Sequence, residues 1–100
     1  MSMIPDDKVQ EVRERAAIQD VVADYVSLKK SGANYLGLCP FHGEKTPSFN
    51  VNPARAIFHC FGCGVGGNVI SFIMKMEGLT FPEAVKFLAK RVGVTIEEHP

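Results

Sequence analysis

The chain contains no tryptophan, only two tyrosines and three cysteines, and no surplus of charge of either sign. Without tryptophan, the core of a 100-residue chain has to be assembled from smaller groups, and several of its seven phenylalanines must serve there. Eleven basic and eleven acidic residues leave a net charge of zero, which excludes a histone-like chain held to nucleic acid by charge alone. The apolar runs are only a few residues long, so no transmembrane helix is expected. The N-terminal MSMIPDDKVQ lacks the basic start and apolar stretch of a secretory signal, which makes the cytoplasm the expected compartment. An odd number of cysteines in such a chain argues against a disulfide framework and for metal ligation or a reactive thiol.

What is present describes a folded domain. With 46% hydrophobic and 22% charged residues the chain sits well outside the disordered class. A domain of this size buries roughly two thirds of the surface its unfolded chain exposes, a thin margin that is often supplemented by a metal. The chain shows no internal repeat, and its Gly and Pro residues fall mostly at the joints of a helix–sheet–helix order.

Helices are expected over about 5–26: Pro5 with Asp6 and Asp7 marks a start, and Ile18, Val21, Val22, Tyr25 and Val26 carry helical periodicity. From about 28 to 65 the pattern shifts to short strands, with Tyr35, Phe49, Val51, Ile57 and Phe58 as strand formers and a turn around Pro53. Helices return over about 68–92. Asn68 is placed to cap the first, Thr80 and Glu83 have capping-box spacing for the second, and Gly78 and Gly93 are placed to stop them. The tail VTIEE is expected to add an edge strand. The fold class is therefore α+β, a small antiparallel sheet packed with helices.

Cys39-Pro-Phe-His42 and Cys60-Phe-Gly-Cys63 form two ligand pairs, each with two intervening residues, separated by a 17-residue insert. Each pair can fold as a knuckle that aims both side chains at one ion, and two knuckles supply the four tetrahedral ligands of zinc. A Cys3His set has no open position, which is the composition of a closed structural site. Gly43 and Gly64 follow the knuckles and are expected to supply a positive φ. His59 competes with His42 as the fourth ligand, but it neighbours Cys60 on an extended segment and is expected to point away. A dithiol reading of Cys60-x-x-Cys63 is opposed by the presence of Cys39 and His42. The string of Gly62, Gly64, Gly66 and Gly67 lacks the Lys-Ser/Thr of a phosphate-binding loop and reads better as a knuckle turn followed by a helix entry.

The neutral total hides a polarity. Residues 1–28 hold three basic and six acidic side chains, whereas residues 29–63 hold four basic and one acidic. Counting three thiolates and a divalent ion, the sheet region remains positive. Lys29, Lys30, Lys45 and Arg55 are interleaved there with Tyr35, Phe41, Phe49, Phe58 and Phe61. Cations that track phosphates beside rings that stack bases suit single-stranded nucleic acid, although a solvated basic face over a phenylalanine core reads the same way. Strand alternation is expected to turn Leu36 and Leu38 toward the helices and Tyr35 and Gly37 toward the open face. It leaves undecided which of Phe58 and His59 is outward.

NYLGLCPFHGEKTPSFNVN followed by IFHCFGCGVGGN, flanked by IQDVVADYVSLKK and FIMKMEGLTFPEAVKFLAKRVG, resembles the N-terminal zinc-binding domain of bacterial DnaG-type DNA primases. The resemblance implies a zinc ribbon with one structural zinc ion, held by Cys39, His42, Cys60 and Cys63. It also implies that the domain binds the single-stranded DNA template and helps to select where RNA primers start at the replication fork. In such a primase, polymerisation belongs to a Toprim-containing RNA polymerase domain and helicase contact to a C-terminal domain. Neither is expected within this chain, which by itself is expected to be non-catalytic. In that setting Lys30 and Lys45 are expected on template phosphates, Asn34, Tyr35 and His59 on the open face near the bases, and Arg55 at the rim. The alternative is a protein-interaction module that docks on the polymerase domain, in the same or a neighbouring chain, and touches DNA little.

Overall fold

A computed structural model describes residues 4–43 and 46–96. Helices α1 (Asp6–Arg15) and α2 (Ile18–Ala23) precede strands β1 (Lys29–Ser31), β2 (Asn34–Gly37), β3 (Phe49–Asn52), β4 (Ile57–Cys60) and β5 (Gly66–Gly67), and helices α3 (Val69–Glu77) and α4 (Phe81–Val92) follow. The strands form one antiparallel sheet in sequence order. α2 packs on β3, and α3 on β4 and β5, while α4 lies against α3 and α1. The helices thus cover one face of the sheet. This is an α+β fold with the zinc-ribbon sheet at its centre.

Local chemistry explains the helix boundaries. The Asn68 side chain accepts a hydrogen bond from the Ser71 amide at 2.9 Å, satisfying a donor at the start of α3 that no carbonyl reaches. At α4, the Glu83 carboxylate accepts from the Thr80 amide at 2.9 Å while the Thr80 hydroxyl accepts from the Glu83 amide at 3.4 Å, a reciprocal capping box. Both helices end at glycines in the left-handed conformation, Gly78 and Gly93.

The core is aromatic at its centre. Phe49 and Phe58 are neighbours on β3 and β4, stacked with centroids 5.4 Å apart, and Phe72 of α3 meets Phe58 edge-on at 5.6 Å. Val51, Ile70, Ile73, Val85 and Leu88 close around them. Beyond the apolar contacts, the Tyr25 hydroxyl donates to the Glu77 carboxylate at 2.7 Å and Arg91 pairs with Asp24, which ties the segment after α2 to α3 and α4.

Several expectations need correction. α2 ends at Ala23; Tyr25 and Val26 keep the apolar period in a turn closed by their amides onto the Val22 carbonyl, so periodicity ran past the helix. Gly66 and Gly67 are a fifth strand paired with His59 and Phe58, not only a helix entry. No strand forms over 94–96, where Val94 is simply buried against the core; the rest of the tail lies outside the described residues.

The facing of β2 is the reverse of that expected. Tyr35 lies opposite Val51 and Gly37 opposite Phe49, both fully buried, whereas Leu36 lies opposite Asn50. Directly paired residues share a face, so Tyr35 and Gly37 belong to the helix side. The cause is the chain returning from α2: a Cβ at Gly37 would stand 2.7 Å from the Ser27 carbonyl oxygen and from Val26 Cγ1. Only a residue without a side chain fits under that segment. Leu38, just beyond the strand, is 48% exposed.

The same register decides β4. Phe58, opposite Val51, is 1% exposed, and His59, opposite Asn50, faces solvent. Phe58→Ala should therefore destabilise the zinc-loaded chain by about 3–5 kcal/mol, whereas His59→Ala should stay within about 0.5 kcal/mol. Urea unfolding followed by circular dichroism measures both, and equal effects would contradict the facing.

Candidate metal centre and the open face of the sheet

Two tight turns, one after β2 and one after β4, bring Cys39, His42, Cys60 and Cys63 together, with one ligand atom from each within 4.8 Å of all the others. Cys39 Sγ lies 3.9 Å from Cys63 Sγ, and Cys60 Sγ 4.0 Å from His42 Nδ1. Bond lengths to zinc of about 2.0–2.3 Å imply tetrahedron edges of about 3.3–3.8 Å, so the donors fit the ion with little adjustment. His59 is not among them: its ring stands on the outer face, as the alternation along β4 requires.

Backbone amides steer the sulfurs. The Phe41 amide donates to Cys39 Sγ at 3.4 Å, and the amides of Gly62 and Cys63 turn in the same way toward Cys60. Gly64 closes the second knuckle at φ +81°, a conformation that a side chain would strain, and its amide donates to the Cys60 carbonyl at 2.8 Å. Gly43 does not share it: its φ is not positive, so the first knuckle closes without that device. The Ser48 hydroxyl sits 3.4 Å from Cys60 Sγ and supports the ligand from behind.

Crowding three thiols has an electrostatic consequence. Burial pushes Cys39 up to about 12, with its neighbours Cys60 and Cys63 adding to the rise against the opposing Phe41 amide. At Cys60 burial also pushes upward, but the Ser48 hydroxyl and the amides of Cys63 and Gly62 outweigh it and bring the thiol down to about 7. Burial opposes ionisation of the Cys39 thiol, and a divalent ion that favours sulfur and imidazole would offset that cost and fits this set. Bound there, zinc supplies a cross-link between the two knuckles.

On the outer face of the sheet, Asn34, Asn50, Asn52, Ile57, His59 and Phe61 line a shallow groove of about 210 Å³. Phe61, in the second knuckle, is 70% exposed, and its ring meets His59 edge-on at 4.8 Å. Of the residues expected near nucleic acid, Asn34 and His59 are brought together here. Tyr35 is not; it packs against the core and borders a separate cavity with Gln19, Val26 and Leu28 on the helix side. Lys30 is exposed on edge strand β1, but it pairs with Tyr35 and so shares the helix side, while its neighbour Lys29, opposite Leu36, is the lysine in line with the open face; Arg55 is exposed in the β3–β4 turn. Lys45 lies outside the described residues.

Residues 4–100 match the CHC2 zinc finger family. The chain belongs to that family. It is 61% identical to the DNA primase of Listeria monocytogenes over 99 residues, covering 97% of this chain and 16% of the relative. It is 55% identical to the DNA primase of Halalkalibacterium halodurans over 95 residues, covering 95% of this chain and again 16% of the relative. Among solved structures it is similar to the Aquifex aeolicus primase comprising zinc-binding and RNA polymerase domains, at a TM-score of 0.86 and 46% identity, covering 90% of this chain and 22% of that one. The chain thus spans about one sixth of the length of the curated relatives it matches.

Family and geometry agree on the cofactor: this CHC2 zinc finger takes one zinc ion, and Cys39, His42, Cys60 and Cys63 are the residues that would hold it. Asn50 and Asn52 are not among the site residues expected from sequence, and Phe61 appears there only as one ring of the interleaved aromatic set. The asparagines carried a usable signal, since in FNVN the burial of Phe49 and Val51 forces Asn50 and Asn52 outward. For Phe61 no such signal existed, because the alternation ends where the knuckle begins.

Metal analysis should find one zinc per chain, and chelation at neutral pH should abolish the sheet's circular dichroism and amide dispersion, because ligation and folding are coupled. Reloading should release protons, and zinc affinity should fall as pH drops from 8 to 6, since protons compete for the thiolates. A fully folded metal-free chain would contradict the coupling.

Proposed function

We propose that this zinc finger is the template-recognition module of a bacterial DNA primase, binding single-stranded DNA on the outer face of its sheet and helping to place the start of RNA primers at the replication fork. The observation that carries this reading is the groove itself, in which an exposed aromatic ring, an imidazole and three side-chain amides share one uncovered face. Rings stack on bases and amides meet base edges, while Lys29, on the same cross-strand row as Leu36 and Asn50, and the exposed Arg55 of the β3–β4 turn supply positive charge for phosphates. Among the described residues, no acidic side chain lines the groove to repel a polyanion. The relatives named DNA primase supply the biological setting, and their much greater length leaves primer synthesis to parts outside this chain. The four-donor zinc site offers no open position for catalysis, so the chain's own role is to bind and position.

A second role is compatible with this one. Phe81 and Phe87 on α4 are 45% and 40% exposed, away from the groove, and offer apolar contact to a polymerase domain of the same or a neighbouring primase chain. Helicase contact is assigned to a separate C-terminal domain.

Titrating the zinc-loaded, isotope-labelled chain with a short single-stranded oligonucleotide should shift the amides of Asn34, Asn50, His59 and Phe61, with shifts that fade as salt rises. An unperturbed spectrum at millimolar DNA would remove template binding from this domain and leave docking. Lys29→Ala should weaken binding to all sequences alike and reduce the salt slope by about one; an unchanged slope would take Lys29 off the phosphate path.

A further inference from the structure

The groove contains three amides that are not equivalent. The Asn52 side-chain oxygen is committed to the β3–β4 turn, where it accepts a hydrogen bond from the Arg55 amide at 3.1 Å. Asn34 lies at the start of β2, paired with Ser31 of the edge strand. Asn50 is central, with Leu36 on one side and His59 on the other, and its amide makes no side-chain hydrogen bond among the described residues. It stays in contact with solvent, for no buried side-chain nitrogen or oxygen among the described residues lacks a partner.

The neighbours of Asn50 give that free amide a context. His59, its direct cross-strand partner, carries Phe61 against its ring, so the amide borders an aromatic corner in which a flat ring can stack. Lys29 ends the same cross-strand row, two strands from Asn50, a separation of about 10 Å. A nucleotide whose base occupies the aromatic corner can therefore place its phosphates on the positive rim. Among the described residues no charged side chain lines the groove itself, so discrimination there falls to hydrogen bonding and stacking. A side-chain amide presents two donors and one acceptor in a plane, which allows a bidentate match to one base edge and mismatches others.

We propose that Asn50 is the residue that selects base identity on this face, and that Phe61 is the stacking platform that holds the selected base beside it. The inference rests on the single-stranded DNA reading given above and assigns a division of labour within it. Phe61 supplies affinity that is indifferent to sequence, because every base has a π-face. Asn50 supplies preference, because a base edge that fails to match leaves its donors or acceptor unpaired.

The test uses the zinc-loaded chain and fluorescence anisotropy with short labelled single strands in which one position is varied through the four bases. The unaltered chain should rank the four strands with a spread of about fivefold or more. Asn50→Ala should collapse that ranking to within about twofold while leaving the salt slope unchanged. Asn50→Asp removes the donors and keeps acceptors, and should turn the ranking toward bases with donating edges, guanine above all, whose N1–H and amino group lie side by side and are free in a single strand. Phe61→Ala should weaken all four strands by about tenfold and preserve their order. Zinc content and circular dichroism confirm that each variant is folded. If Asn50→Ala binds with its ranking intact, or if the unaltered chain binds all four strands equally, Asn50 is not the selecting residue although the face still binds DNA. If the unaltered chain binds none of them, the single-stranded DNA reading itself falls and the inference falls with it.

Discussion

Phe41 stands between Cys39 and His42 and packs its ring against Phe49, Phe58 and Phe72, so the zinc site and the hydrophobic core meet in one residue. The rest of the structure depends on that coupling. A tetrahedral ion fixes the two knuckles relative to each other, and the first knuckle carries Phe41 into the aromatic cluster that joins the sheet to α3. The margin of stability of a chain of 100 residues is thin, and a cross-link between the two knuckles adds to it. Cys60 shows the sharing most directly, being a ligand, the last residue of β4 and a fully buried member of the core.

The two faces of the sheet are asymmetric. Because α2 and α3 pack on one side of the sheet, the other side is left without a cover, and what stands there need not be apolar. β3 places Phe49 and Val51 inward and Asn50 and Asn52 outward, and β4 places Phe58 and Cys60 inward and His59 outward. The second knuckle then leaves Phe61 beside His59, since turning Cys60 and Cys63 toward the ion carries the intervening ring to the surface. A metal held there with no open position would take no part in chemistry, yet its ligands shape the corner of the open face.

Much of this was legible in the chain because it is local. Asn68, Thr80, Glu83, Gly78 and Gly93 act on amides and carbonyls within a turn of themselves, so their spacing alone locates α3 and α4. The two Cys/His pairs are legible for the same reason. The end of α2 was not, because Tyr25 and Val26 remain apolar for packing and hydrogen bonding beyond the helix. The facing of β2 misled for a physical reason: alternation has two phases, and Leu36 with Leu38 is the more apolar, yet the returning chain at Val26 and Ser27 occupies the helix side and demands Gly37 there.

By itself the sequence determined the donor set, its order along the chain and the boundaries of the last two helices, since each follows from groups a few residues apart. Tertiary structure alone decided which side of the sheet is covered. With it came the exclusion of Tyr35 from the open face, the outward position of His59 and the meeting of Asn50 with Phe61, since a strand's alternation defines two faces and only the elements packed against it say which is inside.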